Sequence, residues 1–266
     1  MATEIRQCHT GATVPGIDVA SHQGYIDWDD VKAAGIVFAF IRTGDGMGTD
    51  SMFVRNWREA GRVGIKRASY HYLRVQHSGR EQARHAAQLI KQAGGFGLLD
   101  LMPAADIEWG QSEDSYNRNA PPEEIVGVTS AFLDEIESIF GRRPIVYTGG
   151  YWRDKVAARR PDLASALARY PLWRAAPGAR CPAVTSGWED WTFWQHSWTG
   201  NVPGIGPDVD LDVYRGGRIS LATLGLWSQR WLRGLTYFAV GAALAYGAHR
   251  VLRSPDLKRR IRRLTR

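Results

Sequence analysis

Short runs dense in apolar and β-branched residues alternate along the chain with longer stretches in which apolar positions recur every three to four residues. The first periodicity belongs to strands and the second to amphipathic helices, and their alternation predicts an α/β protein built on a parallel sheet. Eight strands are expected, at 14–19, 36–42, 67–73, 102–109, 144–148, 172–176, 192–198 and 209–214. Five helices are expected between them: 28–34, 53–62, one opening with the capping box Ser78-Gly-Arg-Glu81, one running from Pro121-Pro122 to Phe140, and 153–168. Beyond the fifth helix the strands follow one another at about 20 residues or less, too close for a full crossover helix each time. The count suggests a closed barrel of eight strands whose last third lacks its helices.

In such barrels the chemistry sits at the C-terminal ends of the strands. The strand ends here supply Asp18, Arg42, Tyr70 with His71, Asp106 with Glu108, Tyr147, Trp173, Gln195 and Asp210. Asp106-Ile107-Glu108 closes the apolar run that begins at Leu101. Because strand side chains alternate, residues two apart face the same way with Cα atoms roughly 6–7 Å apart. Two carboxylates in one apolar, aromatic-rimmed cleft repel each other and lose hydration, which raises one pKa and keeps that group protonated near neutrality. One acid held protonated beside one held ionised is what glycosidic cleavage requires. An isolated D-x-E is a weak signal. It gains weight from Asp18 and Asp210, which fall at the ends of the first and last strands, neighbours in a closed barrel, so that four carboxylates converge on one mouth. Most of the eleven tryptophans belong to the core, but Trp109 and Trp173 stand beside strand ends and are candidate substrate contacts.

Composition narrows the picture. With 266 residues, 44% of them hydrophobic and 23% charged, the chain is an ordinary globular protein large enough for one sizeable core. No HExxH or comparable His/Asp cluster appears, so neither a metal nor a cofactor is expected. Cys8 and Cys181 are too few for a disulfide framework or a CxxC cluster and are read as unrelated thiols, pairing being the alternative. The net charge of +7 is unevenly placed: from Leu221 onward ten Lys and Arg face one acid, Asp256, whereas the first 220 residues carry 24 basic and 26 acidic groups. The N-terminus lacks the basic start and apolar run of a secretory signal, so synthesis in the cytoplasm is expected.

At the residues singled out above, the sequence resembles glycoside hydrolase family 25, the Chalaropsis-type lysozymes of phage endolysins and bacterial autolysins. The matches run in order through Gly16-Ile-Asp18-Val-Ala-Ser-His-Gln23-Gly24 with Ile26-Asp27-Trp28, Phe38-Ala-Phe-Ile-Arg42, Tyr70-His71-Tyr72, Pro103-Ala-Ala-Asp106-Ile-Glu108, Pro144-Ile-Val-Tyr147, Pro171-Leu-Trp173, Trp194-Gln195 and Gly204 to Tyr214. The resemblance implies a modified TIM-like barrel of eight strands and about five helices. It also implies cleavage of the β-1,4 bond between N-acetylmuramic acid and N-acetylglucosamine in peptidoglycan. By position Glu108 is the general acid, and Asp106 stabilises positive charge on the sugar or its N-acetyl group. Asp18 and Asp210 complete an acidic floor, while Tyr70, Tyr147 and Gln195, with Arg42, Trp109 and Trp173, line the substrate groove. Two departures stand out: Arg42 is followed by Thr43-Gly44-Asp45-Gly46, where the family has Ala-Thr-Glu-Gly, and Trp173 by Arg174-Ala175-Ala176-Pro177. A glycan-binding barrel without turnover and a chitinase are the competing readings. Intact Asp106 and Glu108 speak against the first, and the absence of a D-x-x-D-x-D-x-E motif before Glu108 against the second.

The resemblance places an extension at 1–13, the catalytic barrel at 14–220 and a tail at 221–266. Within the tail, residues 234–248 form an uncharged run of 15 flanked by arginines, and the chain ends in the basic cluster Lys258 to Arg266. As a helix the run would span roughly 22 Å, short of the ~30 Å bilayer core. A short anchor, an interfacial helix and a helix packed on the barrel are the three readings, and the basic cluster favours anionic lipid. No nucleic-acid motif accompanies the charge. The expectation is a monomeric endolysin, held at the membrane by its tail and acting on the cell wall.

Overall fold

The computed structural model describes residues 5–6, 9–109, 116–184 and 187–227. Its chain divides into two compact units, Met1–Ser228 and Gln229–Arg266. The expected apolar run at 234–248 and the basic cluster after it lie outside the described residues. Among the described residues no helix is long and apolar enough to cross a membrane.

Eight strands form the barrel: β1 (Thr13–Val19), β2 (Phe38–Asp45), β3 (Lys66–Tyr72), β4 (Ala104–Asp106), β5 (Ile145–Thr148), β6 (Leu172–Ala175), β7 (Phe193–Gly200) and β8 (Val209–Arg215). Each of β1 to β6 is parallel to the next, β6 is parallel to β7, and pairing of β1 with both β2 and β8 closes the ring. The sheet is not wholly parallel, as the alternation of elements suggests. β8 runs antiparallel to β7 and to β1. The short link from β7 to β8 allows only a hairpin-like reversal, and parallel pairing would need a crossover. The reversal has a functional consequence: the start of β8, not its end, lies level with the end of β1, and it brings Asp210 opposite Asp18.

Four helices cover the first half of the barrel: α1 (Trp28–Ala33), α2 (Phe53–Arg62), α3 (Gly79–Gln92) and α4 (Pro122–Phe140). Their starts follow capping chemistry. Asp27 accepts the Asp29 and Asp30 amides at 3.0 and 3.2 Å, and Ser78 accepts the Glu81 amide at 3.4 Å. Gly141 closes α4 in the left-handed conformation, φ 64°. The fifth helix expected at 153–168 is not continuous. Its place is taken by a short turn at Gly150–Trp152, a wide turn at Arg153–Ala157 in which the Ala158 amide reaches back to the Arg153 carbonyl, and a tight turn at Pro161–Leu163. Pro161 has no amide to donate and holds Arg160 at φ −136°, outside the helical region, so the turn cannot continue through it.

A last helix, α5 (Arg218–Trp227), crosses the boundary expected at residue 220. Leu221 is fully buried and packs with Val14, Phe193 and Tyr214 at the foot of the barrel. The barrel therefore continues past residue 220. The reading of two unrelated thiols is also corrected, because Cys181 is disulfide-bonded. Its only possible intrachain partner, Cys8, lies outside the described residues. Their segments are joined by a two-stranded ladder in which Ile5 pairs with Val184 and Arg6 with Ala183, a long-range proximity that sequence spacing does not reveal.

Candidate active site

Alternation along each strand sends every second side chain into the barrel, so the interior is built in layers. The lower layers are apolar. Gly16 faces the Phe38 ring so closely that a Cβ there would lie 2.3 Å from it, which makes glycine the residue that leaves room for phenylalanine. Trp173 closes the interior from below the mouth. It is 1% exposed and stacks on Phe40 with ring centroids 3.8 Å apart, and Tyr147 meets it edge-on at 4.5 Å. The ring, expected as a substrate contact, is buried against these aromatic neighbours. Its indole Nε1 instead donates to Asp212 Oδ1 at 2.7 Å.

Above this floor stands a polar layer. Asp210 is level with Asp18 across the β8–β1 ladder, Arg42 with Tyr70 across β2–β3, and Asp106 lies between Tyr72 and Tyr147. Gln195 ties one side of the layer together. Its Nε2 donates to Asp18 Oδ2 at 2.7 Å and to Asp210 Oδ2 at 3.1 Å, while its Oε1 accepts from Tyr147 Oη at 2.8 Å and Trp198 Nε1 at 2.9 Å. Four bonds of fixed polarity leave the amide one satisfied orientation.

The Asp106-x-Glu108 pair leaves the barrel where β4 ends. The strand is shorter than the expected 102–109, because past Asp106 the chain is held by bonds outside the ladder. Leu73 N donates to the Asp106 carbonyl, Ile107 N to the Tyr147 carbonyl, and buried Asn117 donates to the Glu108 carbonyl at 3.3 Å. Burial alone lifts the Glu108 carboxyl to about 7, so it is about half protonated at neutral pH. Asp106 is also raised, first by burial and then by the charges of Glu108 and Asp18, while Arg42 acts in the opposite direction. Its Oδ1 is buried without a hydrogen-bond partner. Of the pair, only Asp106 is acted on by the Arg42 guanidinium, which favours its charged form against burial and the charge of Glu108.

The other acids are protonated more readily than usual as well. Burial raises Asp18 well above the ordinary carboxylate range, with Asp212 adding to the effect. Asp210 is lifted to about 8 by burial and by Asp18, and Asp212 to about 8, chiefly by burial. Asp212 Oδ1 accepts from the Trp173 indole, while its Oδ2 is buried without a hydrogen-bond partner. Asp212 acts electrostatically on Asp18 and is thus part of the cluster. Glu108 acts electrostatically on Asp18, Asp210 and Tyr147, so these groups face one space.

The remaining expected residues occupy the rim. Arg42 is held by Asp50 at 2.9 Å and by Ser21 Oγ at 3.3 Å. Asp45 does not point free into the groove, since Arg74 grips it with both Nε and Nη2, at 2.5 and 2.6 Å. Gly44 matters here, because a Cβ would lie 2.0 Å from the Gly48 carbonyl and open the hairpin that carries Asp45. Trp109 is half-buried, packed edge-on against Tyr151, and its carbonyl accepts the Tyr72 hydroxyl at 2.7 Å. Sequence reasoning passed over Tyr72 and Trp198. Trp198 is 56% exposed while its indole nitrogen is anchored on Gln195, so its ring is presented at the mouth. The position of Trp198 on β7, three residues past Gln195, was the available signal.

A family model, Glycosyl hydrolases family 25, matches residues 17–205. Lysozyme M1 of Streptomyces globisporus is 32% identical over 223 residues, covering 79% of this chain and 71% of its own. The autolytic lysozyme of Clostridium acetobutylicum is 30% identical over 206 residues, covering 76% of this chain and 56% of its own. The crystal structure of a bacterial lysozyme from Streptomyces coelicolor superposes with a TM-score of 0.71 at 32% identity, over 80% of this chain and 97% of that one. A family GH25 lysozyme from Aspergillus fumigatus gives a TM-score of 0.69 at 25% identity, over 80% and 99%. With its carboxylates gathered at the mouth of such a barrel, the chain belongs to glycosyl hydrolases family 25 and is a glycoside hydrolase of the lysozyme class.

Proposed function

We propose that the protein is an N-acetylmuramidase that cleaves the β-1,4 bond between N-acetylmuramic acid and N-acetylglucosamine in peptidoglycan. The observation that carries this reading is the Glu108 carboxyl raised to about 7 beside a second buried acid. Glu108 donates its proton to the glycosidic oxygen as the C1–O bond breaks, and the leaving sugar departs neutral. Positive charge then develops on the remaining sugar, and ionised Asp106 stabilises that charge or the N-acetyl group that shares it. Asp18 and Asp210, spaced by Gln195, form the floor, with Tyr70, Tyr147 and Arg42 around the sugar and Trp109 at the rim. Mass spectrometry of fragments released from purified peptidoglycan tests the proposal. Reducing-end muramic acid is the expected product, reducing-end glucosamine would reassign the cleaved bond, and no released fragment would favour a barrel that only binds glycan.

The setting is proposed from the tail and the disulfide. A bond at Cys181 persists in an oxidising compartment, which supports action beyond the cytoplasmic membrane. The uncharged run at 234–248 and the basic end support attachment to anionic lipid, as in an endolysin that lyses its bacterial host and works as a monomer. An autolysin is the alternative, favoured by the likeness to the clostridial autolytic lysozyme. Deleting residues 229–266 separates tail from barrel: membrane sedimentation should be lost while activity on isolated wall is kept.

A further inference from the structure

A second cleft lies against the outer face of β7 and β8. Trp194 and His196 alternate with the inward-facing Gln195 and so point away from the mouth, and Val213 stands opposite Trp194 in the ladder. No helix follows β7, and the segment 176–184 lies over these strands instead. That segment is fixed at several points. Arg174 Nε donates to the Ala183 carbonyl at 2.7 Å, Trp194 Nε1 to the Ala176 carbonyl at 3.0 Å, and Gly178 N to the His196 carbonyl at 2.9 Å. The disulfide at Cys181 sits between Arg180 and Pro182, both of which line the cleft.

The cleft encloses roughly 260 Å³. Its wall is a chain of ring contacts, His9 to Trp191 at 5.9 Å, Trp191 to Trp194 at 5.8 Å and Trp194 to His196 at 5.6 Å. No carboxylate is among the described lining residues, while Arg180, His9 and His196 are. The nearby Asp190 is already bound by Arg215, and Arg180 is exposed without an ion pair among the described residues. The partly exposed Trp194 indole, the Arg180 guanidinium and the absence of an acid among the described lining residues are the reverse of the barrel mouth. They suit a flat apolar sugar face that carries a negative group.

We propose that this cleft is a second saccharide site for a carboxylate-bearing sugar, its ring on Trp194 and its carboxylate on Arg180. This rests on the muramidase reading, since in peptidoglycan the sugar of that chemistry is N-acetylmuramic acid whose lactyl carboxylate has been freed of its stem peptide. Two sites on one chain keep the enzyme on an insoluble glycan between cuts, because rebinding at either becomes intramolecular.

The test uses the full chain with Glu108→Gln, which separates binding from cleavage, and adds Arg180→Ala, an exposed position that folding does not need. Co-sedimentation with purified insoluble peptidoglycan whose stem peptides have been removed by an amidase should weaken about tenfold, as expected for one charge-assisted hydrogen bond. The histidine-ring NMR signals of His9 and His196 should shift on titration with N-acetylmuramic acid but not with N-acetylglucosamine, and not in Arg180→Ala. In the active chain, Arg180→Ala should leave turnover of soluble glycan fragments unchanged. Equal sedimentation of the two chains, or equal shifts with both sugars, overturns the second site. If Arg180-dependent binding persists while released fragments lack reducing-end muramic acid, the site stands and the muramidase reading fails.

Discussion

Gln195 and Asp18, 177 residues apart in the chain, meet at the barrel mouth with Nε2 and Oδ2 separated by 2.7 Å. The bond gives the buried Asp18 carboxyl a donor, and the second amide hydrogen restrains Asp210 beside it. Gln195→Glu keeps the shape and replaces both donors with another acid. Turnover of purified peptidoglycan should fall about 10- to 100-fold, the value of one or two hydrogen bonds to charged groups, with the thermal midpoint nearly unchanged at pH 5. Unaltered turnover would show that Asp18 and Asp210 need no spacer.

Asp212 should make the fold less stable as pH rises. Its carboxyl is lifted to about 8 in the folded protein, against about 4 in the unfolded chain. Between those values the folded state holds the extra proton, so stability declines as pH climbs from about 4 to about 8. Asp212→Asn still accepts from Trp173 and removes the titration. Thermal denaturation should show little difference at pH 5 and a gain at pH 8 of about 3 °C for each kcal/mol recovered. A gain independent of pH would assign the effect to packing.

Leu221 gives the barrel its lower closure. Leu221→Ala should cost about 2–5 kcal/mol, the range for buried leucine. A chain ending at residue 220 should likewise melt early, whereas one ending at 228 should match the full chain. Equal midpoints for both truncations, measured by circular dichroism, would place α5 outside the folding unit.

Activity should fall as pH rises through about 7, because Glu108 must carry its proton to serve as acid. The descending limb of kcat/KM against pH reports that group in the free enzyme. A limb set by Asp210 or Asp212 instead would lie nearer 8 and would move in Asp210→Asn or Asp212→Asn.

The strand count and the carboxylates at the mouth were legible because period-2 alternation places Asp18, Asp106 and Asp210 on inward positions without reference to any partner. What was illegible depends on pairing. The direction of β8 is set by a short link and by its neighbours, and only that reversal explains why Asp210, at the start of its strand, reaches the mouth. Asp212 shares the inward face with Asp210, yet its role follows from the Trp173 indole, a contact between residues 39 apart. Trp173 itself read as a groove residue because it ends the motif Pro171-Leu-Trp173, while its ring lies below the mouth. The fifth helix failed at Pro161, a local signal that outweighed the apolar periodicity around it. The disulfide at Cys181 follows from a long-range ladder, which no spacing rule predicts.

The most direct measurement is the rate of purified-peptidoglycan solubilisation by Glu108→Gln beside the parent chain, with circular dichroism on both. General acid catalysis contributes about 10²–10⁴-fold, so the account predicts at least a hundredfold loss with an unchanged fold. A folded Glu108→Gln protein that solubilises the wall at near the parent rate would contradict it.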